Sequence, residues 1–163
     1  MNLSPHLKLS EATRSETAKR LGIKNQPTPE HLQNLKAIAL SIFEPCRLHV
    51  GGPLSVTSGY RSLELNKAIK GSSRTSDHLR GQALDLDCDI HGNGTNRELF
   101  FYILGNLDFG QLIWEFGASP ESGGGPDWVH VSFYTNKPNK KQVLRATRHI
   151  GKVTYQPFNP SAK

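Results

Sequence analysis

The feature that most constrains this chain is a short strand that puts acids where a core is expected. From Ala83 to Cys88 the residues alternate, with Leu84, Leu86 and Cys88 on one face and Asp85 and Asp87 on the other. Carboxylates on the face of a buried strand are costly unless something cationic stands opposite. Just upstream, Ser76-Asp77-His78-Leu79-Arg80-Gly81-Gln82 reads as a polar loop carrying an imidazole. Downstream, Trp128, His130 and Ser132 share one face of a second strand, while Val129, Val131 and Phe133 share the other.

His78, Asp85 and His130 together offer two imidazoles and a carboxylate. That is the ligand set of a tetrahedral zinc with its fourth position open, the composition of a catalytic site and not a structural one. One zinc ion held this way polarises a carbonyl and lowers the pKa of water to about 7, and a further carboxylate is then needed to move the proton. Asp127, three residues before His130, is the candidate. On a regular strand it faces away from His130, so the role requires a bend at Pro126 or Asp127, and Glu115 is the substitute. Asp87 shares a face with Asp85 one residue pair further on and is expected to orient a ligand or bind surface water.

At 163 residues the chain is most simply one domain, 1–163, large enough to form a core without help from a metal. Twenty Lys and Arg against 14 Asp and Glu give a net charge of +6, which suits an anionic partner. The basic residues are not interleaved with aromatics, so nucleic acid is not an expected partner. Cys46 and Cys88 fall in a predicted helix end and a predicted buried strand, and free, buried thiols are the default reading. The amino terminus lacks a basic segment followed by an apolar run, so no signal peptide is expected. No stretch of 18 apolar residues occurs, so no membrane insertion is expected either.

The element pattern is α+β: a small antiparallel sheet carrying the site, flanked by helices drawn mainly from the first third. Ser15 to Leu21 reads as a short helix ended by Gly22, and Thr28-Pro29-Glu30 opens a longer one that Pro45 ends. Strands are predicted over Pro53 to Thr57, Ala83 to Cys88, Gln111 to Phe116 and Trp128 to Tyr134. Helices are predicted over Ser62 to Lys70 and from Thr95 to about Asn106. The core is placed at about 6–135, with a peripheral tail at about 136–163 in which Gln142 to Phe158 is expected to add a peripheral strand. Asn159 to Lys163 is expected to fray.

These segments resemble the zinc D-alanyl-D-alanine carboxypeptidases and dipeptidases, whose relatives include phage L-alanyl-D-glutamate endolysins. Ser76, His78, Gly81, Ala83 and Asp85 match the family's metal-loop pattern, Asp127 and His130 match its second part, and Ser58-Gly59-Tyr60-Arg61 is similar to its arginine-bearing segment. The resemblance implies zinc on His78, Asp85 and His130, Asp127 as general base, and Arg61 stabilising the developing oxyanion. It also implies Ser76, Tyr60 and Trp128 as substrate-binding residues. The implied substrate is a peptidoglycan peptide containing D-amino acids, cut by a monomeric, phage-type enzyme that is made in the host cytoplasm and acts on the wall after release. A D-alanyl-D-alanine carboxypeptidase and a catalytically silent zinc-containing wall-binding module are the alternatives.

Overall fold

A computed structural model describes residues 1–159, so all but the first residue of the segment expected to fray lies outside the described residues. The chain opens with a small antiparallel pair, β1 (Asn2–Ser4) and β2 (Leu7–Lys8), then α1 (Leu9–Thr13) and α2 (Glu16–Leu21). Ser15 caps α2 by accepting from the Ala18 N–H, and Gly22 closes it in the left-handed conformation.

The longer helix starts as expected, with Thr28 as N-cap and Pro29 at the first position of α3 (Pro29–Ile38). It does not stop at Pro45. A wider π turn over Ala39–Phe43 leads straight into α4 (Glu44–Val50), with Pro45 in that helix's first turn. The helix absorbs the missing N–H at a π bulge instead of ending.

The other elements are β3 (Ser55–Ser58), α5 (Leu63–Ala68), β4 (Ala83–Asp87), α6 (Asn96–Asn106), β5 (Gln111–Glu115), β6 (Trp128–Ser132), β7 (Gln142–His149) and β8 (Lys152–Pro157). Thr95 and Glu98 form a capping box at the start of α6. Strands β3 to β8 make one six-stranded sheet in the order β3-β4-β6-β5-β7-β8. The architecture is the α+β domain expected, but the sheet is larger and mixed. Its pairs are antiparallel except β5 with β7, which run parallel.

The sheet's two faces differ in chemistry. Leu84, Leu86, Leu112, Trp114, Val129 and Val131 turn to one core with Leu35, Ile38, Ile42, Phe43, Leu99, Phe100 and Ile103 of the helices. The opposite face carries Asp85, Glu115 and His130 and floors a cleft. Cys46 and Cys88 are both buried and unpaired. The segment expected to be peripheral supplies β7 and β8, two full strands of the main sheet. Parallel pairing across a long connection leaves no local turn signal, which is why the period-2 pattern alone did not place it. Among the described residues, no helix is long and apolar enough to cross a membrane.

Candidate metal centre and active-site cleft

Strand register assembles the site. Asp85 on β4 and His130 on β6 are Cα partners, so their side chains leave the same face side by side. His78 arrives from the short 3-10 turn Asp77–Arg80, whose start Ser76 caps by accepting from the His78 N–H. Gly81 ends that turn in the left-handed conformation (φ 67°), where a Cβ would press on the His31 carbonyl at 2.6 Å. Only glycine fits both demands, and β4 can then begin two residues later.

The three side chains converge and are buried. Asp85 Oδ1 lies 3.3 Å from His78 Nε2 and 2.9 Å from His130 Nδ1, and one ligand atom from each residue lies within 4.8 Å of the others. His78 Nδ1 lies 2.6 Å from the Gly59 carbonyl oxygen, a bond that Nδ1–H donates and that leaves the Nε2 lone pair aimed at the cluster. Gly59 itself packs against Ala12, where a Cβ would collide with the backbone carbonyl. The Arg61 N–H donates to the His78 carbonyl at 3.1 Å, tying the exit of β3 to the metal loop.

Electrostatics follow from the packing. Burial pushes His78 down in pKa, and the Asp85 carboxylate only partly offsets this. For His130, burial pulls down but the hydrogen bond and charge of Asp85 pull up further, and the net direction is up. Burial alone would raise Asp85, yet the two imidazoles hold it well below the ordinary carboxylate range. A buried carboxylate flanked by two imidazoles, one locked in its tautomer, fits a divalent zinc-like ion.

Of the other predicted residues, Arg61, Ser76 and Trp128 line the cleft, which measures about 640 Å³. Arg61 donates from Nη2 to Asp85 Oδ2 at 3.3 Å and from Nε to Ser58 Oγ at 3.0 Å. Two predicted residues stand elsewhere. Tyr60 is 6% exposed and belongs to the core: its N–H donates to the Ala12 carbonyl and its own carbonyl accepts from Asn25. It alternates with Arg61, so the backbone that turns Arg61 toward the site turns Tyr60 inward. Asp127 is exposed and is not among the residues lining the cleft. No bend brings it round, because its N–H donates to the Glu115 carbonyl at 2.9 Å and prolongs the ladder.

Glu115, the substitute named for Asp127, does line the cleft. It pairs with Trp128 across β5 and β6, two rows along from the Ile113–His130 pair and on the same face, and is only 6% exposed on the cleft floor. Burial raises its pKa to about 7, with His130 and Arg61 pulling down and Asp85 pushing up. Asn96 was not singled out from the sequence. Fully buried, it accepts from the Cys88 N–H and donates to Asp87 Oδ1 and the Asp127 carbonyl, joining the end of β4 to the start of β6. Asp87 thus serves this joint and not the cluster.

The family model for peptidase M15 matches residues 5–115. The chain belongs to the peptidase M15 family. The resemblance read from Ser76 to Asp85 and at Arg61 therefore holds at the level of the family. The stretch matched to the M15 family contains Arg61, His78, Asp85 and Glu115 and ends before His130 and the β7–β8 hairpin. No curated protein matches the chain.

Proposed function

We propose that this chain is a zinc-dependent peptidase that hydrolyses a peptide bond in the stem or cross-link peptides of bacterial peptidoglycan. The observation that carries this reading is the convergence of Arg61 and Glu115 on the buried His78, Asp85 and His130 group at the floor of one cleft. When bound to those three residues, a zinc ion supplies Lewis acidity toward a carbonyl and acidifies water.

The chain's own residues do the rest. Glu115 accepts the proton of the attacking water and returns it to the leaving amine, a task for which a buried carboxylate facing the His78, Asp85 and His130 group is placed. Arg61, permanently charged and held by Asp85 and Ser58, stabilises the negative charge developing on the carbonyl oxygen. Ser76 and Trp128 contact the peptide at the cleft walls. Asp127 contributes its backbone to the ladder and no proton transfer.

A phage-type wall-lytic enzyme acting as a monomer is the setting we propose, supported by the match of Ser76 to Asp85 to the metal-loop pattern and by a net charge of +6 toward an anionic wall. The test is digestion of purified peptidoglycan by zinc-loaded, chelated and zinc-restored protein, with the released ends read by mass spectrometry. New amino termini that vanish with chelator and return with zinc are the expected result. Released D-alanine alone would make the enzyme a carboxypeptidase, and intact peptidoglycan despite bound zinc would overturn the reading.

A further inference from the structure

The register of the sheet carries the cleft well past the metal group. Partners in a row share a face, so Trp128, Glu115, Ala146 and Tyr155 lie on one face of the sheet, and Trp128, Glu115 and Tyr155 line the cleft while Ala146 is buried beneath it. Two residues beyond Ala146 stands Arg148, paired with Val153. Leu144, Arg148, Val153 and Tyr155 all line the same cleft as His78 and His130. This wall is built from residues beyond the stretch matched to the family.

Arg148 is held in a defined place. Its guanidinium lies 4.7 Å from the centroid of the Phe116 ring, and Phe116 meets Trp128 edge to face at 5.4 Å. Phe116 sits at φ 56°, a left-handed backbone that a side chain of this bulk adopts only at a cost. The strain sets an aromatic plate under the arginine at the end of β5. A guanidinium stacked on a ring keeps its N–H edge free, and Arg148 forms no salt bridge among the described residues. The neighbouring cation of the same strand, Arg145, reaches Glu121 at 4.0 Å.

We propose that the β7–β8 hairpin is a substrate subsite in which Arg148, backed by Phe116 and flanked by Tyr155, binds a carboxylate of the peptide several residues from the bond that is cut. This rests on the peptidase reading of the cleft. A planar fork with free N–H groups is built for a carboxylate, and a phenol beside it donates one more bond. Between His130 and Arg148 lie two strand spacings of about 4.8 Å across and four residues of about 3.3 Å along, roughly 16 Å of backbone separation. The arginine side chain closes part of that gap, so the carboxylate sits about three residues from the scissile bond. A dipeptide cannot reach it.

The test uses the pentapeptide L-Ala-γ-D-Glu-L-Lys-D-Ala-D-Ala with both carboxylates free, with the carboxyl terminus amidated, or with the glutamyl α-carboxylate amidated. Calorimetric binding to zinc-loaded Glu115→Gln protein is expected to weaken about tenfold on one of the two amidations, which names the carboxylate. In the Glu115→Gln/Arg148→Gln protein that difference falls below about twofold, and Arg148→Lys recovers part of it. Because these are binding measurements on a protein stripped of its base, they stand even if digestion of peptidoglycan fails. Equal affinity for all three peptides, or a preference that survives Arg148→Gln in a protein with an unchanged melting temperature, would overturn the subsite.

Discussion

The cleft over the sheet and the hollow beside α4 are nearly equal in volume, about 640 and about 710 Å³, yet their chemistry differs throughout. The hollow is lined by Leu40, Pro45, Leu48 and Tyr102, and its polar groups satisfy one another locally: His6 bonds Glu44 at 2.8 Å and Arg47 donates to the Gly52 carbonyl. In the cleft, groups from β4, β5, β6, the metal loop and Arg61 just after β3 face one another and displace each other's pKa values. Size therefore says little about chemistry. What marks the working site is convergence of titratable groups from separate elements, buried together so that each shifts the others.

The contrast breaks most sharply at the metal ligands. His130→Ala leaves two ligands, and metal content measured by mass spectrometry under native conditions is expected to fall from about one ion per chain to near zero, with hydrolysis at background. The next largest effect is at Glu115. Glu115→Gln is expected to retain metal while kcat falls by about 10² to 10⁴-fold.

Glu115 also carries a pH signature. As a base it works ionised, so kcat/KM rises with pH through its pKa, and a bound cation moves that limb below the value of about 7 held without one. Stability runs the other way. With a folded pKa near 7 against 4.5 for the free side chain, metal-free protein loses stability as pH rises from 4.5 to 7. Glu115→Gln removes that loss and raises the metal-free melting temperature at pH 8, by up to about 3 kcal/mol of stability. A melting temperature equal to the parent's would show the carboxyl to be better solvated than its burial implies.

Arg61→Lys keeps a charge but not the fork that spans Asp85 and Ser58, and kcat is expected to drop by about 10² with metal retained. The smallest effects sharpen the comparison from the other side. Asp127→Ala and Leu48→Ser, the one outside the cleft and the other in the apolar hollow, should each leave kcat/KM within about twofold and stability within about 0.5 kcal/mol. A large loss of turnover in Asp127→Ala would return the base role to that residue.

Much of this site was legible because its chemistry is written at short range. The alternation of Leu84 and Leu86 with Asp85 and Asp87, the Gly81 turn and the Trp128, His130, Ser132 face are local patterns, and the structure places them as read. Glu115 could stand only as a substitute, since its claim depends on β5 pairing with β6 in the register that sets it opposite Trp128. Asp127 and Tyr60 both stand outside the cleft lining, Asp127 because the bend its role required is absent and its N–H continues the ladder to Glu115. Sequence spacing gives proximity to His130 and Arg61, whereas the alternation of an extended chain decides which side each neighbour faces. Asn96 gave no signal, because a helix-start asparagine looks like a cap until its partners across the fold are known. The expected strand in Gln142 to Phe158 proved to be two, joined to the main sheet, because β7 answers to β5 across 26 intervening residues, from 116 to 141.

The parallel pairing of β7 with β5 has a consequence in time as well as in space. His78, Asp85 and His130 have all been synthesised by residue 130, but β8 ends at Pro157, 27 residues later. At about 5 to 20 residues per second, a growing chain carries its complete set of ligands for seconds before the far wall exists. The same division holds in space: β4, β6 and the metal loop complete the His78, Asp85 and His130 group by themselves, and the β7–β8 hairpin adds only the far wall of the cleft.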